Sequence, residues 1–155
     1  MRLIFVRHGE PDYANDCLTE NGKKQAINVA MRLKDEDISA IFSSPMGRAR
    51  ETASYTAKSH NLEIQNLDFM HEIDWGNKDK NIALFAHGGS GSIMFSHVLS
   101  LPFPFVLTSM PYGVCSISII DFTAQNGEMI IPRLELFNDM DHIESYKRET
   151  LHFEK

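Results

Sequence analysis

Two cysteines among 155 residues, Cys17 and Cys115, form no C-x-x-C pair. Neither a dithiol redox motif nor a zinc knuckle is supported, no disulfide follows from the spacing, and both are expected to be free thiols. Basic residues are also in the minority. Fifteen Lys and Arg against 21 Asp and Glu leave a net charge of −6, which argues against nucleic acid or an anionic membrane as partner. No apolar run reaches the ~20 residues of a membrane-spanning helix. The most apolar stretch, Ile93 to Leu107, is broken by Ser96, His97, Ser100, Pro102 and Pro104 and reads as a helix followed by a loop. Met1-Arg2 leads into only four apolar residues before Arg7, so no secretory leader is read and the cytoplasm is the expected compartment. H-E-x-x-H is absent, and Gly88-Gly89-Ser90-Gly91-Ser92 fails the G-x-S-x-G elbow at its last position. With no repeat, low-complexity tract or Gly/Ser linker, the chain reads as one domain, 1–155. Its core is large enough to need neither disulfide nor metal.

Alternating elements are present instead. Leu3-Ile4-Phe5-Val6 reads as a buried first strand. Thr19 can cap a helix to about Lys34, with Ala26, Val29, Ala30 and Leu33 as its apolar stripe. A second strand spans about Ser39 to Phe42. Ser44 as N-cap and Pro45 as first helical residue then predict a helix carrying Arg48 in its first turn. Leu62–Ile64 and Ile82–Ala86 read as strands, with a helix from about Ser90 to Leu99 after the second. Val114–Phe122 and Met129–Leu136 read as strands turning at Gln125-Asn126-Gly127. The pattern predicts a three-layer α/β/α sandwich around a mainly parallel sheet.

Polar clusters close three of these strands: Arg7-His8-Gly9-Glu10, Ser43-Ser44-Pro45-Met46-Gly47-Arg48 and His87-Gly88-Gly89. Open α/β sheets build ligand sites beyond their strands' carboxyl ends. Guanidinium groups hold a doubly charged phosphoryl group through planar, charge-assisted bonds, which suits Arg7 and Arg48. An imidazole attacks phosphorus only as the neutral base, and nearby cations favour that form, so His8 beside Arg7 reads as a nucleophile. His87 opens a glycine-rich segment whose free N–H groups, Gly88's among them, begin a helix and offer an anion seat. A single histidine after a strand is usually a hydrogen-bonded structural residue, and a single arginine near a helix start usually solvates the surface. Their joint occurrence at three strand ends favours a site. Arginines beside His8 would repel a divalent cation, so no metal is expected.

These residues resemble the histidine phosphatase superfamily, in its phosphoglycerate-mutase-like branch. The resemblance rests on Arg7-His8-Gly9-Glu10, the run Ser43 to Ala53, and Ala86-His87-Gly88-Gly89, in the family's order. Leu18 to Ala26 resembles its first helix start, and Phe137 to His142 a turn after its last strand. The resemblance implies a phosphohistidine on His8, with Arg7, Arg48 and His87 holding phosphoryl oxygens, and Gly88 is expected to join them from the anion seat at the helix start. It also places Glu72, in His71-Glu72-Ile73-Asp74-Trp75-Gly76, as the acid/base carboxyl; read without the family, Glu72 is a solvated loop carboxylate. Glu10 is left as a turn-shaping residue. No cofactor is implied.

Only nine residues, Ile73 to Asn81, separate Glu72 from the strand at Ile82. Most relatives insert a long helical lid there, so this chain is expected to have a short or missing lid and an open site that favours hydrolysis. The leading expectation is a metal-independent phosphatase acting on a small phosphorylated substrate. Phosphoglycerate-mutase-type transfer is the runner-up. A non-catalytic phosphate-ligand binding module would use the same arginines without needing His8 or the acid. No residue selects the ester or an oligomeric state.

Overall fold

A computed structural model describes residues 1–67, 80–125 and 129–143. The elements run in the order β1 (Arg2–Arg7), β2 (Pro11–Asp12), β3 (Cys17–Leu18), α1 (Glu20–Leu33), β4 (Ala40–Ser43) and α2 (Gly47–His60). They continue as β5 (Ile64–Asn66), β6 (Asn81–Ala86), α3 (Gly88–Val98), α4 (Phe103–Ser109), β7 (Ile117–Gln125) and β8 (Met129–Asp139). Six strands form one sheet in the order β5-β4-β6-β1-β7-β8, while β2 and β3 pair as a short separate hairpin.

The strands β5, β4, β6 and β1 are parallel; β7 and β8 complete the sheet antiparallel. Side chains alternate across a strand, and β1 shows the consequence. Ile4 and Val6 face a core built with Val29 and Leu33 of α1 and Ala53 and Ala57 of α2. Leu3 and Phe5 face a second core with Phe95 of α3, Val106 of α4 and Tyr112. Helices therefore cover both faces, giving the three layers expected. Both cysteines are free thiols, and no helix among the described residues is long and apolar enough to cross a membrane.

Thr19 caps α1 as expected, accepting from the Gly22 amide. Other boundaries differ. α2 begins at Gly47 with Met46 at its N-cap. Ser44 still continues the β4–β6 pairing, because its N–H bonds Phe85 O at 3.0 Å, and its hydroxyl lies 2.8 Å from His87 Nε2 and accepts from the Met46 N–H at 3.4 Å. α3 starts at Gly88, two residues before Ser90, with His87 at the N-cap. β5 lies two residues beyond the expected Leu62–Ile64, and the segment after α3 contains the short helix α4 where a loop is expected. Of the expected turn, Asn126 and Gly127 lie outside the described residues.

Candidate active site

Adjacent strand ends bring the polar residues together. His8 N–H bonds Ala86 O at 3.0 Å, tying the end of β1 to that of β6. The His8 and His87 rings then meet edge to face, 5.1 Å apart. His8 is almost fully buried, and its Nδ1 lies 2.7 Å from Gly9 O. A carbonyl only accepts, so Nδ1 carries the proton of the neutral ring and Nε2 keeps its lone pair. Burial is the main force pushing the His8 pKa down to about 4. The Gly9 carbonyl opposes it, and the charges of His87, Arg7 and Arg48 add to it. Sequence reasoning attributes that shift to the cations; desolvation contributes more. The Gly9 peptide is held in turn by Thr52 of α2. Thr52 Oγ1 accepts from Gly9 N at 3.0 Å and donates to Arg48 O at 2.8 Å.

Both arginines are anchored at one edge only. Arg7 is buried and donates from Nη1 to Tyr112 O at 2.7 Å, while its Nε has no protein partner. Arg48 donates from Nη1 to Asp16 Oδ1 at 2.5 Å, and its Nε also lacks a protein partner. Asp16 Oδ2 accepts from the Gly47 amide at 2.7 Å, so one carboxylate fixes both Arg48 and the first turn of α2. The Tyr13 ring covers Arg48, 5.4 Å from Cζ to centroid. His87 Nε2 lies 2.8 Å from Ser44 Oγ. Burial first, then Arg48 and Arg7, lower the His87 pKa against an opposing pull from Asp16. Gly88, the first residue of α3, has its carbonyl engaged by Ser92 and Tyr112 hydroxyls.

Arg7, His8, Arg48, His87 and Gly88 line one cavity of about 330 Å³, together with Tyr13, Ser92, Leu107 and Met110–Tyr112. Glu72 lies outside the described residues. Asp16, Thr52 and Tyr112 escape sequence reasoning, because their contacts form only once distant segments meet. Ser44 carries a signal, a hydroxyl at a strand end, that is read as a helix cap. Among the described residues no three His, Cys, Asp or Glu side chains are grouped to hold a metal ion. Partly unpaired guanidinium groups beside a neutral imidazole can accept a phosphoryl dianion and present Nε2 to its phosphorus.

An open α/β sheet with two arginines and two histidines at its strand ends defines a class of anion-handling α/β proteins. Residues 3–80 match the model of the histidine phosphatase superfamily (branch 1), and the chain belongs to that family. It is 38% identical over 85 residues to phosphoserine phosphatase 1 of Hydrogenobacter thermophilus, an alignment covering 49% of this chain and 40% of that protein. It is 37% identical over 83 residues to the 2,3-bisphosphoglycerate-dependent phosphoglycerate mutase of Thermoplasma acidophilum, covering 47% and 42%. The chain thus spans about two fifths of the length of these curated relatives.

Solved structures share the fold across most of the chain. A phosphoserine phosphatase mutant of Entamoeba histolytica in complex with phosphoserine superposes with a TM-score of 0.76 at 21% identity, covering 92% of this chain and 99% of that one. A mycobacterial glucosyl-3-phosphoglycerate phosphatase in complex with VO3 gives 0.73 at 20% identity, covering 90% and 99%.

Proposed function

We propose that the chain acts as one domain, a phosphatase that hydrolyses small phosphate monoesters through a phosphohistidine on His8, without a metal. The observation that carries this reading is the Nδ1–H bond from His8 to the Gly9 carbonyl, which leaves a buried neutral imidazole with its Nε2 pair available. In the first step Nε2 bonds to phosphorus and the ester P–O bond breaks. The departing alkoxide takes a proton from the Glu72 carboxyl. In the second step Glu72 removes a proton from water, which attacks phosphorus and releases inorganic phosphate and free His8. Arg7, Arg48, His87 and the Gly88 amide hold the phosphoryl oxygens as charge shifts among them. The assignment of Glu72 rests on the family resemblance.

Trapping the intermediate tests this. Alkaline quenching followed by intact-mass measurement should show one phosphoryl group on the protein, located on His8. With p-nitrophenyl phosphate, whose leaving group needs no proton, Glu72→Gln should raise its occupancy, because loss of the base slows attack by water. Turnover without any trappable phosphohistidine in either protein overturns the mechanism. The similarity to a phosphoglycerate mutase supports a second reading, phosphoryl transfer between hydroxyls. Faster interconversion of phosphoglycerates than release of inorganic phosphate would favour it.

A further inference from the structure

We propose that the cavity, taken as the phosphatase site above and resting on that reading, selects monoesters of uncharged apolar or aromatic alcohols over esters whose alcohol carries a second negative charge. Its cations are already placed. Arg7 and Arg48 gather with the neutral His8 and with His87 around the anion position, and no further Lys or Arg lines the cavity among the described residues. What remains for the alcohol is mainly the Tyr13 ring and the side chains of Leu107, Met110 and Pro111.

The polar groups on this side are turned inward. Ser92 Oγ donates to Gly88 O at 3.1 Å and lies 3.1 Å from the Tyr112 hydroxyl, which itself donates to Gly88 O. Leu107 is 37% and Tyr13 71% exposed, so both are accessible to an incoming group. The loop bearing Tyr13 also carries carboxylates. Asp16 is held ionised chiefly by the Gly47 amide, with Arg48 adding to it, and Asp12 chiefly by the Asn15 side chain. A carboxylate on the alcohol would meet apolar surface and would lose hydration without gaining a cationic partner among the described residues. An aromatic or branched aliphatic group would exchange water for Leu107, Met110 and Tyr13. A volume of about 330 Å³ accommodates a phosphoryl group with a single ring.

Two non-hydrolysable phosphonates of similar size read this selectivity without turnover. Calorimetric titration of the full chain should find benzylphosphonate binding about tenfold or more tighter than phosphonoacetate, the scale at which an apolar pocket discriminates. Leu107→Lys and, separately, Met110→Lys should narrow that ratio by weakening the first ligand and strengthening the second. Equal affinities in the wild type, or tighter phosphonoacetate, would overturn the proposal, as would a ratio unmoved in both folded variants. Hydrolysis of 2-phenylethyl phosphate and O-phosphoserine, both leaving as alkoxides, is measured alongside. Benzylphosphonate preference without hydrolysis of either ester would overturn the phosphatase reading and retain the selectivity as that of a binding site.

Discussion

His8 is set apart from an ordinary surface histidine by what touches it: a carbonyl on Nδ1, burial around the ring, and three cationic or potentially cationic neighbours. The acid limb of kcat/KM should therefore lie near pH 4, where the free imidazole protonates, and not near its usual 6.5. A pH–rate profile with its lower inflection at 6.5 would show that the ring is not held neutral. The same shift carries a stability consequence. Between about pH 6.5 and 4 the unfolded chain binds a proton at this residue and the folded chain does not. The contribution is full above 6.5 and is lost as pH falls toward 4, by up to about 3 kcal/mol. Urea melts at the two ends of that window should differ less in His8→Asn. Thr52→Val would leave Gly9 N–H buried without its acceptor, at a cost of about 1–3 kcal/mol. Slower phosphohistidine formation should accompany it, since the peptide that orients His8 is released. That Arg7, His8, Arg48, His87 and Gly88 gather in one cavity is legible in the sequence, because four of them follow the apolar runs of β1 and β6 directly and Arg48 opens the helix after β4. Thr52 and Asp16 are not, because each acts on a residue far from it in the chain.

At the scale of elements, the helix starts and the segment 9–18 fix one another. A Cβ added at Gly47 would collide with the Asp16 carbonyl, and one at Gly22 with the Glu10 carbonyl. Both neighbours are backbone, so neither can yield as a flexible side chain would. Gly47→Ala should therefore push the β2–β3 hairpin away from α2. The Asp16 bond to Arg48 should break, and the protein should be destabilised by about 1–3 kcal/mol, the usual cost of overpacking. Phosphate affinity should fall with it. Unchanged melting and unchanged phosphate binding would show that the hairpin does not position Arg48. The misread start of α2 has the same origin. Ser44-Pro45 carries a helix-start signature, but the Ser44 amide is taken by β6, and its hydroxyl, which accepts from the Met46 N–H, also lies against His87. Similarly, Pro102 and Pro104 read as loop residues, although the first turn of a helix tolerates proline and α4 forms there.

For the whole molecule, the decisive feature is where the chain reverses across the sheet. From β1 the chain passes through α1 to β4, beyond β6 on one side. From β6 it passes through α3 and α4 to β7, beyond β1 on the other. The two crossovers cover opposite faces and leave a crevice between the ends of β1 and β6. His8 and His87 stand on its two sides. Buried strands and an amphipathic helix make the layers legible from sequence, whereas strand order is not, since it depends on which neighbours each strand chooses. A net charge of −6 makes the crevice a local cationic site on an acidic protein, so a small dianion should find its binding energy there. Orthovanadate, which mimics five-coordinate phosphorus, should raise the melting temperature. At a hundred times its Kd the stabilisation should be about 2.7 kcal/mol, the linkage expected of a ligand that binds only the folded state. EDTA should leave the rate unchanged, because Arg7 and Arg48 supply the positive field a metal would otherwise provide. Arg48→Ala should abolish most of the vanadate shift and slow turnover about 10²-fold or more. If a divalent ion restored an activity lost to EDTA, the arginine field would be insufficient and the metal-independent mechanism would fall.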